Sequence, residues 1–402
     1  MYAFGEFELH PARFELLRRG CPVHVERQVF DVLRYLLEHH DRVVPRTELL
    51  DGVWGDRFVS DATVASRIKA ARRAIGDDGS TQRWIATVHG VGYRFVGQLV
   101  DEAQTDHDRP RGAPDSLTAT PRSAQAQQIR YCRAGGGARI AYALSGFGSP
   151  LVKAANWLTH LDLEWESPIW SHWIDALSAR HRLVRYDERG CGLSDWDVTD
   201  FDLDTWVEDL EAVVDSVGLT RFPLLGLSQG AAVAIAFAVR HPERVSHLVL
   251  VGGYARGRLA RATTDEEREE AALDLQIGRV AWRRDDPAFR QVFAAQFLPD
   301  ESRELWNAFN DLQRSTTSTA NVTRFLDTFA TIDVSDLATR VACPTLVVHS
   351  RGDRRVPRRQ AHELTAQIPD SRLRLLDSRN HILTAHEPAW PEFLTELDQF
   401  LS

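Results

Sequence analysis

Residues 222–239 read FPLLGLSQGAAVAIAFAV. An apolar run leads into a serine flanked on each side, one residue away, by glycine. A second, alanine-rich apolar run then follows. The pattern reads as strand, sharp turn, helix, with Gly226-Leu227-Ser228-Gln229-Gly230 as the turn and Ala231–Val239 as the helix. So tight a reversal strains the backbone, and side chains at either flank would clash, hence the glycines. The turn presents the Ser228 hydroxyl at a strand end, over a helix N-terminus, where it can act as a nucleophile. G-x-S-x-G alone arises by chance; its strand–turn–helix setting gives it weight.

A serine hydroxyl needs a base to activate it, and the base needs an acid to orient it. Further strands are expected at Leu183–Tyr186, Leu248–Val251, Thr345–His349 and Arg372–Leu376, with helical segments between them. This alternation predicts a mostly parallel sheet covered by helices on both faces. Asp353 follows the strand TLVVHS, and His381 follows the next strand, 28 residues later. That leaves room for one helix and one strand between acid and base. His386 lies further into the following helical stretch and is the weaker candidate. Two backbone N–H groups should bind the developing oxyanion: Gln229, directly after the serine, and Trp157, after the early strand near Leu151–Ala155.

Three further segments join the elbow: Asp187-Glu188-Arg189-Gly190-Cys191-Gly192-Leu193-Ser194-Asp195, the RGD-x-x-VP stretch at Arg351–Pro357, and Asn380-His381-Ile382-Leu383. Together they resemble the α/β-hydrolase fold across residues 129–402, closest to the hydrolase-like domains fused to regulatory or cyclase modules in bacteria. The resemblance implies a catalytic set of Ser228, Asp353 and His381, with Cys191 a spacer and not a nucleophile. Relatives commonly carry His-Gly or Pro-Gly in the oxyanion loop, and Ala155-Asn156 departs from that pattern. Residues about 254–335 interrupt the alternation, and the resemblance makes them a helical cap. Some of Trp282, Phe289, Phe293, Phe297, Trp306, Phe309 and Phe325 should line a ligand pocket, most being core. His160, Asp162, Trp165, Trp170 and Trp173 are candidates for another wall.

Residues 1–100 have a different grammar. Short strand-like runs at Tyr2–Leu9, Phe14–Arg18 and Val23–Val25 precede a helix over Gln28–His39 with one apolar face, and a second helix starting near Pro45. In SDATVASRIKAARRAIG, residues 60–76, Val64, Ile68, Ala71 and Ile75 form one buried stripe. The opposite face carries Thr63, Ser66, Arg67, Lys69 and Arg73, small polar groups and cations suited to a major groove. A hairpin over Trp84–Phe95 closes the block. The order of elements, with V-S-D-A-T-V-A-S-R-I-K and T-V-H-G-V-G-Y-R-F, resembles the OmpR/PhoB-type winged-helix DNA-binding domain. The resemblance implies DNA contacts from Thr63, Ser66, Arg67, Lys69 and Arg73, with His89 at the wing tip where arginine is usual. Residues 101–128, polar and rich in Pro, Ala, Ser and Gln, read as a flexible linker.

The expected architecture is therefore multi-domain: an α+β winged helix, then an α/β-hydrolase fold with a helical cap. The net charge of −9 is unevenly spread: residues 1–100 hold 14 basic and 13 acidic residues, the remainder 34 and 44. Only the first block can meet double-stranded DNA through a local patch. The four cysteines lie far apart, without metal spacing, so no metal site is expected, and acyl transfer by a serine, histidine and aspartate implies no organic cofactor. No apolar run is long enough for a membrane helix, and no signal peptide is expected, which points to the cytoplasm. No receiver-like region precedes the first block, so a signal is expected from the C-terminal side. One reading is a promoter-binding regulator, a homodimer on tandem or paired half-sites, whose hydrolase-like domain senses a small-molecule ligand, with slow hydrolysis open. The alternative is a serine ester or lactone hydrolase with an attached DNA-binding module.

Overall fold

The computed structural model describes residues 2–10, 15–18, 21–23, 25–40, 42–54, 61–77, 81–88, 91–97, 127–283 and 287–402. The chain divides into two compact units, Met1–Leu117 and Thr118–Ser402. Most of the linker stretch assigned to 101–128 lies outside the described residues. Its last two residues belong to the second unit: Gln127 bonds Arg185 and the Leu161 carbonyl, and Gln128 opens a strand.

The first unit opens with β1 (Tyr2–Phe4), β2 (Phe7–His10), β3 (Glu15–Arg18) and β4 (Cys21–Val23), an antiparallel sheet in chain order. The single run expected over Tyr2–Leu9 is two strands because Gly5 turns the chain at φ +57°, packed so tightly on Trp84 that a Cβ would lie 2.6 Å from its ring. Then come α1 (Arg27–Glu38), β5 (Val44–Pro45), α2 (Arg46–Trp54), α3 (Asp61–Ala74), β6 (Ile85–Val88) and β7 (Gly92–Phe95), with β7 between β5 and β6. The stripe Val64, Ile68, Ala71 and Ile75 is buried against Val29, Val32, Leu33 and Leu36 of α1.

The second unit runs β8 (Gln128–Arg133), β9 (Arg139–Ser145), β10 (Pro150–Lys153), α4 (Leu161–Glu166), α5 (Ser171–Ser178), β11 (Arg182–Tyr186), α6 (Leu203–Val217), β12 (Phe222–Leu227), α7 (Gly230–Arg240) and β13 (Val245–Val251). The inserted helices follow: α8 (Asp265–Arg283), α9 (Pro287–Phe297), α10 (Arg303–Thr316), α11 (Thr319–Thr331) and the short α12 (Ser335–Ala338). β14 (Thr345–Ser350), α13 (Arg359–Gln367), β15 (Ser371–Leu376) and α14 (Ala389–Leu401) complete it. The eight strands lie in the order β15-β14-β13-β12-β10-β11-β9-β8, parallel from β15 to β11 and antiparallel at β9 and β8. β12 sits mid-sheet, and α7 after it is apolar on nearly every face and buried almost throughout. A helix with no polar face belongs inside, and here it anchors the turn that joins it to β12. Among the described residues, no helix is long and apolar enough to cross a membrane.

The turn after α3 depends on one carboxylate. Asp77, 7% exposed, accepts the backbone N–H groups of Arg83, Trp84 and Ile85 at 2.7, 2.8 and 2.9 Å. Asp77→Ala strands these donors and should cost about 3 kcal/mol. Denaturation followed by hydrogen exchange of peptides within 61–97 would check this; unchanged protection there would contradict it.

Candidate active site and DNA-facing helix

Ser228 follows β12 directly with φ +53°, a left-handed conformation worth roughly 1–3 kcal/mol of strain for a residue with a side chain. Its N–H donates to the Val251 carbonyl at the end of β13, and its own carbonyl accepts from Ala231 in α7. Both flanking glycines have steric reasons. A Cβ on Gly226 would lie 2.7 Å from the Gly230 carbonyl oxygen, and one on Gly230 would lie 2.5 Å from the Ala155 carbonyl oxygen.

Asp353 and His381, on the loops after β14 and β15, converge on this turn. His381 Nε2 lies 2.8 Å from Ser228 Oγ, and His381 Nδ1 lies 2.7 Å from Asp353 Oδ2. Burial works to raise the Asp353 carboxyl, but the charge and hydrogen bond of His381, with His349 behind it, hold it below its ordinary value. An ionised carboxylate only accepts, so His381 Nδ1 carries the imidazole proton and Nε2 is free to accept from the Ser228 hydroxyl. Asp353 Oδ1 accepts the N–H groups of Arg355 and Val356 at 2.8 and 2.9 Å, which fixes the carboxylate plane. Phe297 of the inserted helices holds the His381 backbone, whose N–H donates to the Phe297 carbonyl, and meets the imidazole in an edge-on ring contact. His386 is largely exposed and paired with Glu301, away from this set.

Gln229 and Trp157 line the same cleft as Ser228. The loop that carries Trp157 is fixed from below by Lys153, which is buried and donates to the Asn156 side-chain oxygen. Burial pulls the Lys153 ammonium down to about 8, against the opposing charge of Glu164. The Trp157 indole N–H donates to Gln313 of α10, 2.5 Å away, so this loop is also tied to the insertion.

A cleft opens between the serine turn and the inserted helices. Its apolar wall includes Leu275, Phe297, Leu326, Phe329 and Val356. Of the aromatics singled out in the sequence only Phe297 lines it; Trp282, Phe293, Phe309 and Phe325 are core. The wall suggested after the oxyanion loop does not form: His160 caps α4, and Trp170 and Trp173 are buried in the core. Sequence reasoning missed the charged lining, Arg258, Arg261, Asp274 and Arg355. The arginine spacing in 254-YARGRLAR-261 was the available signal, but nothing local says which way it faces.

On α3, Ser66, Lys69 and Arg73 are exposed. Arg67 differs: its guanidinium is half-buried on Glu26 at 2.5 Å and Gln28 at 3.1 Å, committed within the unit. Arg72 turns inward and donates to the Ile85 carbonyl and the Thr87 hydroxyl, joining α3 to the hairpin. The Thr63 side chain and His89 lie outside the described residues.

Residues 20–95 match the family described as "Transcriptional regulatory protein, C terminal", and residues 159–387 match "alpha/beta hydrolase fold". The second unit is 28% identical over 271 residues to the pyrrolizixenacetamide deacetylase of Xenorhabdus hominickii, covering 66% of this chain and 96% of that protein. It is 32% identical over 203 residues to RutD of Klebsiella pneumoniae (strain 342), a protein whose name assigns it carbamate hydrolysis, covering 49% and 73% respectively. Among solved structures, esterase RhEst1 from Rhodococcus sp. ECU1013 superposes with a TM-score of 0.56 at 25% identity, over 68% of this chain and 98% of its own.

Gly230→Ala drives a methyl group into the Ala155 carbonyl and should cost about 2 kcal/mol or more in the second unit. Calorimetric unfolding of the full chain reads this directly, and an unshifted transition for this unit would sink the steric account.

Proposed function

Because the chain belongs to the α/β-hydrolase fold family and also carries a transcriptional-regulator DNA-binding domain, we propose that it is a DNA-binding serine hydrolase acting on a small ester, lactone or amide. The observation that carries this reading is the unbroken hydrogen-bonded line Asp353–His381–Ser228 opening into a lined cleft. The sequence placed ligand sensing first and hydrolysis second. That line, with relatives named for deacetylation and carbamate hydrolysis, favours the reverse order.

Ser228 Oγ attacks the carbonyl carbon while His381 Nε2 takes the hydroxyl proton. Asp353 holds the imidazole and stabilises its charged form. The carbonyl oxygen, now negative, is received by the N–H groups of Gln229 and Trp157. Collapse of this adduct expels the alcohol or amine, which takes the proton from His381 and leaves an acyl-serine. Water then attacks the acyl carbon, gives its proton to His381, and the acid departs as that proton returns to Ser228.

A second reading, favoured by the fused DNA-binding domain, is that the ligand or its hydrolysis governs promoter binding in the compartment that holds the DNA. Thr63, Ser66, Lys69 and Arg73 then face the groove, His89 stands at the wing, and Arg67 must exchange Glu26 for a phosphate to join them. A homodimer on paired half-sites fits this use of a winged helix. A small shift in the cleft reaches the first unit through pairing of second units, which raises the effective concentration of paired winged helices.

A fluorophosphonate probe should label the native protein once, at Ser228. Ser228→Ala should abolish labelling, and Asp353→Asn should slow it by roughly 10³–10⁴ through loss of the correct imidazole tautomer. Intact-mass kinetics read all three, and an unlabelled native protein would count decisively against a live nucleophile. For the DNA-facing helix, Lys69→Ala and Arg73→Ala should each weaken binding to the chain's own upstream region and lower the salt slope by about one. Salt titration of fluorescence anisotropy checks this; unchanged slopes would place both cations off the phosphates.

A further inference from the structure

The cleft that holds Ser228 has an unbalanced charge. Three guanidinium groups line it, Arg258, Arg261 and Arg355, against one carboxylate, Asp274. Asp274 serves two of them: Arg258 Nη1 lies 2.9 Å from one oxygen and Arg355 Nη1 2.8 Å from the other. Burial acts to raise the Asp274 carboxyl, but these two arginines outweigh it and keep it ionised.

Among the described residues, Arg261 is left without a counter-ion. It is 7% exposed, and its guanidinium donates only a long 3.4 Å bond to the Arg256 carbonyl and stands 5.8 Å from the centre of the Tyr254 ring. Among the described residues, no carboxylate lies at ion-pair distance from it. Burial pulls it down to about 10; Tyr254 opposes that, and the neighbouring Arg258, Arg355 and Arg359 add to it. Glu267, across the outer cavity that Arg258 and Arg261 also border, is already held by Arg359 and the Thr263 N–H. Gln229, 1% exposed in the same cleft, has neither its side-chain oxygen nor its nitrogen bonded. A buried cation without an anion and a buried amide without a partner are costly unless a ligand completes them.

We infer that the compound bound in this cleft carries a free carboxylate, which pairs with Arg261 while its ester, lactone or amide carbonyl meets Ser228. This rests on the hydrolase reading above and narrows it to half-esters or half-amides of dicarboxylic acids and lactones bearing an acid group. Arg261 presents one unpaired guanidinium to a cleft whose apolar wall of Leu275, Phe297, Leu326, Phe329 and Val356 suits the carbon chain of an organic anion. A carboxylate fits the guanidinium fork with two parallel bonds. Arg258 and Arg355 share the single Asp274 carboxylate, which leaves Arg261 as the guanidinium with no carboxylate beside it among the described residues; a phosphate is the other anion for this fork, and the test below separates the two.

The test compares, on the full-length protein, mono-para-nitrophenyl glutarate with para-nitrophenyl pentanoate, which differ by a carboxylate in place of a terminal methyl. The acid ester should be preferred in kcat/KM by roughly tenfold or more, mainly through KM. Arg261→Met should abolish that preference, and Arg261→Lys, which keeps the charge but not the fork, should retain part of it. Equal rates on the two esters, or a preference that survives Arg261→Met, would overturn the inference while leaving the hydrolase reading intact. Calorimetric binding to Ser228→Ala separates the two ideas without turnover. Monomethyl glutarate should bind roughly tenfold or more tighter than methyl pentanoate, and the advantage should disappear with Arg261→Met. That result, together with a native protein that neither labels nor hydrolyses, would keep the anion site and discard the hydrolase. Propyl phosphate binding tighter than monomethyl glutarate would replace the carboxylate by a phosphate.

Discussion

The second unit is organised around one residue held in an unfavourable backbone conformation. At φ +53°, Ser228 reverses the chain between β12 and α7 so abruptly that the residues two before and two after it must be glycine. The same contacts set the surrounding loops. Gly230 rests on the Ala155 carbonyl, which fixes the loop carrying Trp157. The Ser228 N–H is bound to Val251, and the next residue, Gly252, is itself left-handed and would place a Cβ 3.1 Å from the His381 ring. Three loops at the carboxyl edge of the parallel strands are thus registered against a single turn. The strain is offset by burial: α7 is apolar almost all round, and withdrawing it from the core to relax the turn would expose most of its surface.

This explains why the turn could be read from the chain. The steric demand is local, so Gly226, Ser228 and Gly230 announce it in five consecutive residues. Asp353 and His381 were legible for a related reason: alternating strands and helices place each loop after a parallel strand at the same sheet edge. The charged lining was not legible, because Arg258 and Arg261 acquire their position from the packing of inserted helices far along the chain. The basic face of α3 shows the same limit. Arg67, Arg72 and Arg73 are equally basic in sequence, yet Glu26 of one neighbour and the Ile85 carbonyl of another capture the first two and leave the third outside. The antiparallel strands β8 and β9 were not singled out either. β8 is an edge strand with little to bury, so its apolar alternation is weak.

Near the loop that carries Trp157 lies a set of buried charges. Arg185 pairs with Glu164 at 2.7 Å, and Arg189 grips Asp209 through Nε and Nη2. Asp187 accepts the N–H groups of Leu161 and Leu193, and Gly192 packs so closely on its carboxylate that a Cβ would lie 2.1 Å away. Removing either partner of such a pair leaves a bare charge in the core, about 3–5 kcal/mol. These pairs therefore make the 187–195 loop and the start of α4 a rigid floor, and the stretch conspicuous in sequence as D-E-R-G-C-G-L-S-D is a structural member of the unit.

Asp274 belongs to the inserted helix α8, whereas Arg355, which it binds, sits two residues beyond Asp353 and donates its own backbone N–H to that residue's carboxylate. One residue thus links α8, through its side chain, to the Asp353 carboxylate, through its backbone. Breaking the Arg355–Asp274 pair would therefore loosen α8 and, through the same residue, the segment whose N–H groups hold the Asp353 carboxylate. An acidic compound paired with Arg261 would lie beside Arg258, which shares Asp274 with Arg355, so its charge would bear on the same carboxylate that ties α8 to the Asp353 segment.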